Sequence, residues 1–131
     1  MLNVETDGVA INKHLFRMGQ GYFNYPTPDG YSDHSQTWQG NLMPRWQFAF
    51  ELMRDEMENT KHNLQNLLNV LLTENLEEDI DAISSLLLGS PIERLIRDQL
   101  IDSVTSAGAN ADEALQVITA SLIASPAFQW R

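Results

Sequence analysis

The sequence predicts an all-α fold: a compact bundle of five or six helices with a long ordered aromatic loop after the first helix. Through most of residues 41–131, apolar residues recur every three or four positions, which is the spacing of the buried side of a helix. Glycine, proline and helix-capping residues separate these apolar stretches. A length of 131 residues is typical of one domain, so residues 1–131 are interpreted as a single helical domain.

The N-terminal part is expected to contain one helix followed by a loop. A helix is predicted over residues 9–20, where one face carries Ile11, Leu15 and Met18. Residues 21–40 contain three glycines and two prolines and fit no helical period. Their aromatic content is too high for a disordered linker, which predicts an ordered, packed loop. No alternation typical of a β-strand stands out.

The helical bundle is predicted over residues 41–131. Asn41 is the expected N-cap of its first helix, whose apolar positions are Leu42, Trp46, Ala49, Phe50, Met53 and Met57. A shorter leucine stripe follows within residues 64–72. Asn75 and Glu78 have the spacing of a capping box at the start of the next helix, and Gly89 is expected to end it in a left-handed conformation.

The last two helices have similar boundary signals. Ser90, Pro91 and Glu93 are expected as the N-cap, first and third residues of a helix that stops at Gly108. Its predicted inward residues are Ile92, Leu95, Ile96, Leu100 and Val104. Asn110 and Glu113 predict another capping box, and the dipeptide Ser125-Pro126 is expected to end the final long helix.

The charge and the missing cysteines exclude several classes of function. The chain has 18 acidic and 8 basic side chains, a net charge of −10. Nucleic acid and anionic membrane surfaces both require clustered basic residues, so neither is expected as a partner. Without cysteine, the chain has no disulfide, no thiolate zinc site and no cysteine nucleophile. No signal peptide or long apolar run is visible, so a soluble chain of unknown compartment is expected.

The charge and the aromatic residues are unevenly distributed. Residues 1–50 have four acidic and three basic side chains, whereas residues 51–131 have fourteen and five. Nine of the eleven aromatic residues lie between Phe16 and Phe50. Aromatic residues and arginine are typical of protein interfaces, although they can also stack against sugar rings. The candidate interaction surface is therefore Tyr22, Phe23, Tyr25, Tyr31, Trp38, Arg45 and Trp46.

Two polar clusters are weaker candidates. Asp29, Asp33 and His34 bring two carboxylates and an imidazole together, as an acid–base pair or a metal site requires, but Pro-Asp-Gly turn chemistry explains them more simply. The acidic run Glu74, Glu77, Glu78, Asp79 and Asp81 is interpreted as a solvated helix start. No nucleophile elbow or phosphate-binding loop is present, so no catalytic residue, metal ligand or cofactor is predicted.

A series of short motifs resembles a known family. The motifs are Met18-Gly19-Gln20, Tyr22-Phe23, Pro26 to Tyr31 with Asp33, Trp38, Leu42 to Ala49, and Leu122 to Gln129. In this order they look like the C-terminal end of the bacterial domain of unknown function 1800 family, from about residue 10 to the last residue. The resemblance implies a C-terminal piece of a larger body, in a family whose members are often exported. It transfers no catalytic residues, and Gly21 stands where that family usually has proline.

The leading functional hypothesis is a non-catalytic helical module, with no enzymatic activity expected for this chain alone. Its aromatic N-terminal half would pack against a larger family body or a protein partner, or would support self-association. The alternative hypothesis is that residues 22–38 contribute a loop to a carbohydrate-binding or hydrolytic site of a larger enzyme.

Overall fold

A computed structural model describes residues 4–21, 23–24, 30, 34, 41–63, 66, 73 and 75–129. The fold is mostly helical, which confirms the predicted class. The helices of the described part are α1 (Val9–Arg17), α2 (Leu42–Met53), α3 (Leu76–Leu88), α4 (Arg94–Ser106), α5 (Ala111–Ala124) and α6 (Pro126–Gln129). Most of the predicted loop at 21–40 and most of the leucine stripe at 64–72 lie outside the described residues.

Helix α5 is the centre of the bundle, because α2, α3, α4 and α6 all pack against it. Its buried side includes Leu115, Ile118 and Leu122, at helical spacing. These residues form one core cluster with Met53 of α2 and Ile80 of α3, which are almost fully buried. Burying one such side chain stabilises the fold by about 1.5–3 kcal/mol.

A small antiparallel sheet, which the sequence did not predict, joins the N-terminus to the segment after α2. Strand β1 (Val4–Thr6) pairs with β2 (Thr60–His62), with Val4 opposite His62 and Thr6 opposite Thr60. The two threonine hydroxyls lie 2.9 Å apart. Strands of three residues are too short to produce a readable alternation, so the sequence pattern gave no sign of them.

The end of α1 explains why the helix is shorter than predicted. Gly19 adopts a left-handed conformation with φ 75°, and its N–H donates to the Phe16 carbonyl at 3.0 Å. The Gln20 N–H donates to the Leu15 carbonyl at 2.8 Å, which completes a Schellman motif. The Asn41 side chain donates to the Met18 carbonyl at 2.7 Å, and it makes no capping bond to α2. Asn41 therefore is the N-cap residue of α2, as predicted, but its side chain fixes the end of α1 instead of capping α2.

The capping predictions for α3 and α5 had different outcomes. At α5, Asn110 and Glu113 form the complete capping box, with bonds of 2.9 and 3.2 Å. At α3, the Asn75 side chain accepts from the Glu77 N–H, but the Asn75 N–H donates to the Thr73 hydroxyl. The α3 capping box is thus incomplete. Gly89 has φ 68° at the end of α3, which confirms its predicted conformation.

Helix α4 starts later than predicted and turns a different side inward. Its N-cap is Glu93, because the Ile92 N–H donates to the Ser84 hydroxyl at 3.3 Å and Ile92 packs on the core before the helix begins. The inward residues are Arg97, Leu100, Ile101 and Val104. The prediction that Leu95 and Ile96 face inward is wrong, since they are 68% and 45% exposed.

Candidate interaction surface

One apolar stripe of α2 is buried at one end and exposed at the other. This α2 stripe consists of Leu42, Trp46, Ala49 and Met53, whose spacings of three and four place them on one side of the helix. Ala49 and Met53 are 0% and 1% exposed and belong to the core. Leu42 and Trp46 are 46% and 48% exposed. The apolar surface therefore continues from the core onto the outside of the molecule.

A buried histidine connects α1 to α2. His14 is 3% exposed, and its Nε2 lies 3.0 Å from Oε2 of Glu51. A carboxylate only accepts hydrogen bonds, so Nε2–H donates to Glu51. The imidazole also meets the Phe48 ring edge-on, with the ring centroids 5.6 Å apart. Within the described residues no group hydrogen-bonds to His14 Nδ1, so this ring acts as a packing group with one polar anchor.

A cleft of about 350 Å³ lies between the end of α1, helix α2 and the C-terminal helices α5 and α6. This junction cleft is lined by Leu15, Met18, Gln20, Arg45, Phe48, Ile123 and Phe128. The lining is mostly apolar, with the Gln20 amide and the Arg45 guanidinium as its polar groups. Phe128 is itself 38% exposed.

A second cleft, of about 600 Å³, runs along the outside of α1 and shares Leu15 with the junction cleft. Val9 and Phe16 line it and are 54% and 50% exposed. The Phe16 ring lies against the backbone of Gly21, where an added Cβ would come within 2.9 Å of the ring. A glycine at position 21 therefore leaves room for the Phe16 ring beside the chain that leaves α1.

The structure describes three of the seven predicted surface residues. Arg45 lines the junction cleft, Trp46 lies on the α2 stripe, and the Phe23 side chain is fully exposed with φ 58°. The other four, Tyr22, Tyr25, Tyr31 and Trp38, lie outside the described residues. The structure thus places Arg45 and Trp46 next to each other at the start of α2.

The polar candidates do not form a site within the described residues. His34 is exposed, and Asp29 and Asp33 lie outside the described part. In that part, no group of three or more histidine, aspartate or glutamate side chains is arranged to hold a metal ion. None of the described helices is both long enough and apolar enough to cross a membrane.

The interpretation of the acidic run as a solvated helix start is wrong for Asp79 and holds only in part for Asp81, which is half-buried. Asp79 is only 5% exposed, and its Oδ1 accepts from the N–H and the hydroxyl of Thr73 at 2.6 and 3.0 Å. Asp81 pairs with Arg97 of α4 at 2.6 Å. Glu77 and Glu78 are exposed, as expected, whereas Glu74 lies outside the described residues. Two of these carboxylates therefore hold neighbouring segments in place.

Sequence reasoning missed some of the residues that position this surface. Of the predicted α1 residues Ile11, Leu15 and Met18, Met18 is buried as predicted, whereas Ile11 and Leu15 are only partly buried. Ala10 and His14 form the rest of the buried side. The four-residue spacing of Ala10, His14 and Met18 was a signal, but the polar histidine concealed it. Ile123 and Phe128 join the junction cleft from the other end of the chain, and no local pattern indicates that contact.

Comparison with known proteins gives one match. The model of a family described as "Protein of unknown function (DUF1800)" matches residues 4–130. No curated protein and no solved structure matches the chain.

Proposed function

The chain belongs to the DUF1800 family, and we propose that it is a helical packing module whose α1–α2 side binds a larger body or a protein partner. The single observation that carries the proposal is the half-covered α2 stripe. Its inner end is part of the core, and its outer end, Leu42 and Trp46, is about half exposed. Large exposed apolar patches on folded proteins mark interaction sites.

The surroundings of the stripe support the same proposal. Met43, beside Leu42, is 64% exposed, and Phe16 and Phe128 are exposed at the two clefts of α1. Large apolar and aromatic side chains supply most of the binding energy at protein interfaces. Burying an exposed leucine or tryptophan against a partner would gain free energy at roughly 25 cal/mol per Å² of apolar area.

Size-exclusion chromatography with light scattering tests the proposal, together with binding of a fluorescent dye specific for apolar surface. The proposal expects dye binding and a molar mass that rises with concentration, because the uncovered stripe is available for self-association. A monodisperse monomer with little dye-binding surface would contradict it.

A further inference from the structure

The charge of the α1–α2 region is opposite to that of the rest of the protein. In the described residues 8–24 and 41–54, four basic side chains, Lys13, Arg17, Arg45 and Arg54, accompany a single carboxylate. That carboxylate, Glu51, hydrogen-bonds to His14. Residues 75–129 contain nine acidic and two basic side chains. A locally basic region thus exists in a chain of net charge −10.

The basic charge lies next to exposed apolar side chains on the outside of α1. This α1 face consists of Val9, Lys13, Phe16 and Arg17, whose spacings place them on one side of the helix. Lys13 lines the larger cleft with Val9 and Phe16, and neither Lys13 nor Arg17 forms an ion pair with a described residue.

The one acidic residue lining that cleft is already engaged. Oδ1 of Asp7 accepts the Val9 N–H at 2.9 Å, and its Oδ2 accepts from the Asn59 amide at 2.9 Å. Asp7 therefore is held in place at the start of α1 and keeps one negative charge in the cleft, whereas Lys13 and Arg17 give the α1 face two positive charges.

We propose that the α1 face binds an acidic, apolar protein segment, with carboxylates opposite Lys13 and Arg17 and large apolar side chains against Val9 and Phe16. This inference rests on the proposed packing function and specifies the chemistry of the partner. Charge complementarity selects the partner, because opposite potentials across an interface favour association and exclude like-charged partners.

Other anionic partners fit the α1 face less well. A phosphate-rich membrane or a nucleic acid extends far beyond the α1 face, so the acidic remainder of the chain repels it. A short segment responds to charges within about one Debye length, roughly 10 Å at 0.1 M salt.

A pair of matched peptides tests the inference by fluorescence anisotropy. The probe is a labelled amphipathic helix with leucines along one side and glutamates along the other, and the comparison peptide has lysine in place of every glutamate. We expect the glutamate peptide to bind about tenfold more tightly at about 0.1 M salt, where only nearby charges act on it, and we expect the preference to be lost at about 1 M salt. Lys13→Glu combined with Arg17→Glu is expected to reverse the preference. Arg94→Glu, a single charge reversal at an exposed position of α4, is the control for charge away from α1 and is expected to preserve it. This control is compared with Lys13→Glu alone, which also reverses one charge.

Three outcomes would overturn the inference. Equal binding of the two peptides would mean that charge does not select the partner. Binding of phosphatidylglycerol vesicles without binding of the glutamate peptide would identify a membrane-binding face. No binding of either peptide would show that the face takes no such segment. The packing function is judged separately by light scattering and dye binding, so its failure can be distinguished from a failure of this inference.

Discussion

Trp46 and Met53 lie two turns apart on the same stripe of α2, yet Met53 is 1% exposed and Trp46 is 48% exposed. Helix α5 covers the C-terminal part of the stripe and contributes Ile118 and Leu122 to the same core. Leu42 and Trp46, in the N-terminal part, are about half exposed. The exposed apolar end of the stripe is the basis of the proposal that a second body packs there.

The core contains one hydroxyl whose removal is expected to stabilise the protein. Thr119 of α5 is fully buried, and its Oγ1 has no hydrogen-bond partner in the described part of the chain. Thr119→Val replaces the hydroxyl by a methyl group of similar size, so the cost of burying an unpaired polar group disappears. We expect a gain of about 1 kcal/mol and a Tm higher by roughly 3–5 °C in thermal unfolding. A lower Tm would mean that the hydroxyl has an acceptor.

The buried carboxylate of α3 is expected to be more important for stability than its exposed neighbour. Asp79→Ala removes the acceptor of the Thr73 N–H and the shorter of the two hydrogen bonds that the Thr73 hydroxyl donates, which is expected to cost about 1–3 kcal/mol in denaturant unfolding. Glu78→Ala, one residue earlier and exposed, is the control and is expected to cost about 0.5 kcal/mol or less. Equal effects would contradict the structural role of Asp79.

The contact between α1 and α2 can be measured by a double-mutant cycle on His14 and Glu51. Each single change to leucine removes the bond from Nε2 to Oε2, and the double change removes both partners. Because Glu51 is partly exposed, solvent weakens the pair, and we expect a coupling energy of about 1 kcal/mol. Additive effects would mean that the two side chains contribute only their separate packing.

A thermal-shift screen against divalent metals and polysaccharide fragments distinguishes the packing module from the alternative hypothesis, a loop in a carbohydrate-binding or hydrolytic site. We expect the Tm to stay unchanged, because a packing module has no ligand site to saturate. A reproducible shift that is lost in Trp38→Ala or Asp33→Ala would favour the alternative.

Local signals predicted the fold well where the residues they involve are close in sequence. Gly89 and the pair Asn110 and Glu113 have the conformations that their spacing indicates. Local signals placed Asn41 correctly as the N-cap of α2, but they did not indicate that its side chain donates to the distant Met18 carbonyl. They also placed the start of α4 too early, because the Ile92 N–H donates to the distant Ser84 hydroxyl.

The candidate surface, too, was predictable where its residues are close in sequence and unpredictable where they are distant. Its location in the aromatic N-terminal half was predicted from composition, and Arg45 and Trp46 are part of it. The junction cleft also needs Ile123 and Phe128, which only the packing of α5 and α6 brings near α1 and α2. Long-range packing of this kind leaves no periodic pattern in the sequence.

The most direct test of the packing surface compares two leucines of nearly equal exposure. Leu42, on the α2 stripe, is 46% exposed, and Leu86, on α3, is 49% exposed. The measurement is the fluorescence of a dye specific for apolar surface, on variants whose unfolding transitions match that of the unmodified chain. If the exposed end of the α2 stripe is the main apolar surface, Leu42→Ser lowers dye binding strongly, whereas Leu86→Ser leaves it nearly unchanged. Equal loss in the two variants, or no loss in Leu42→Ser, would contradict it.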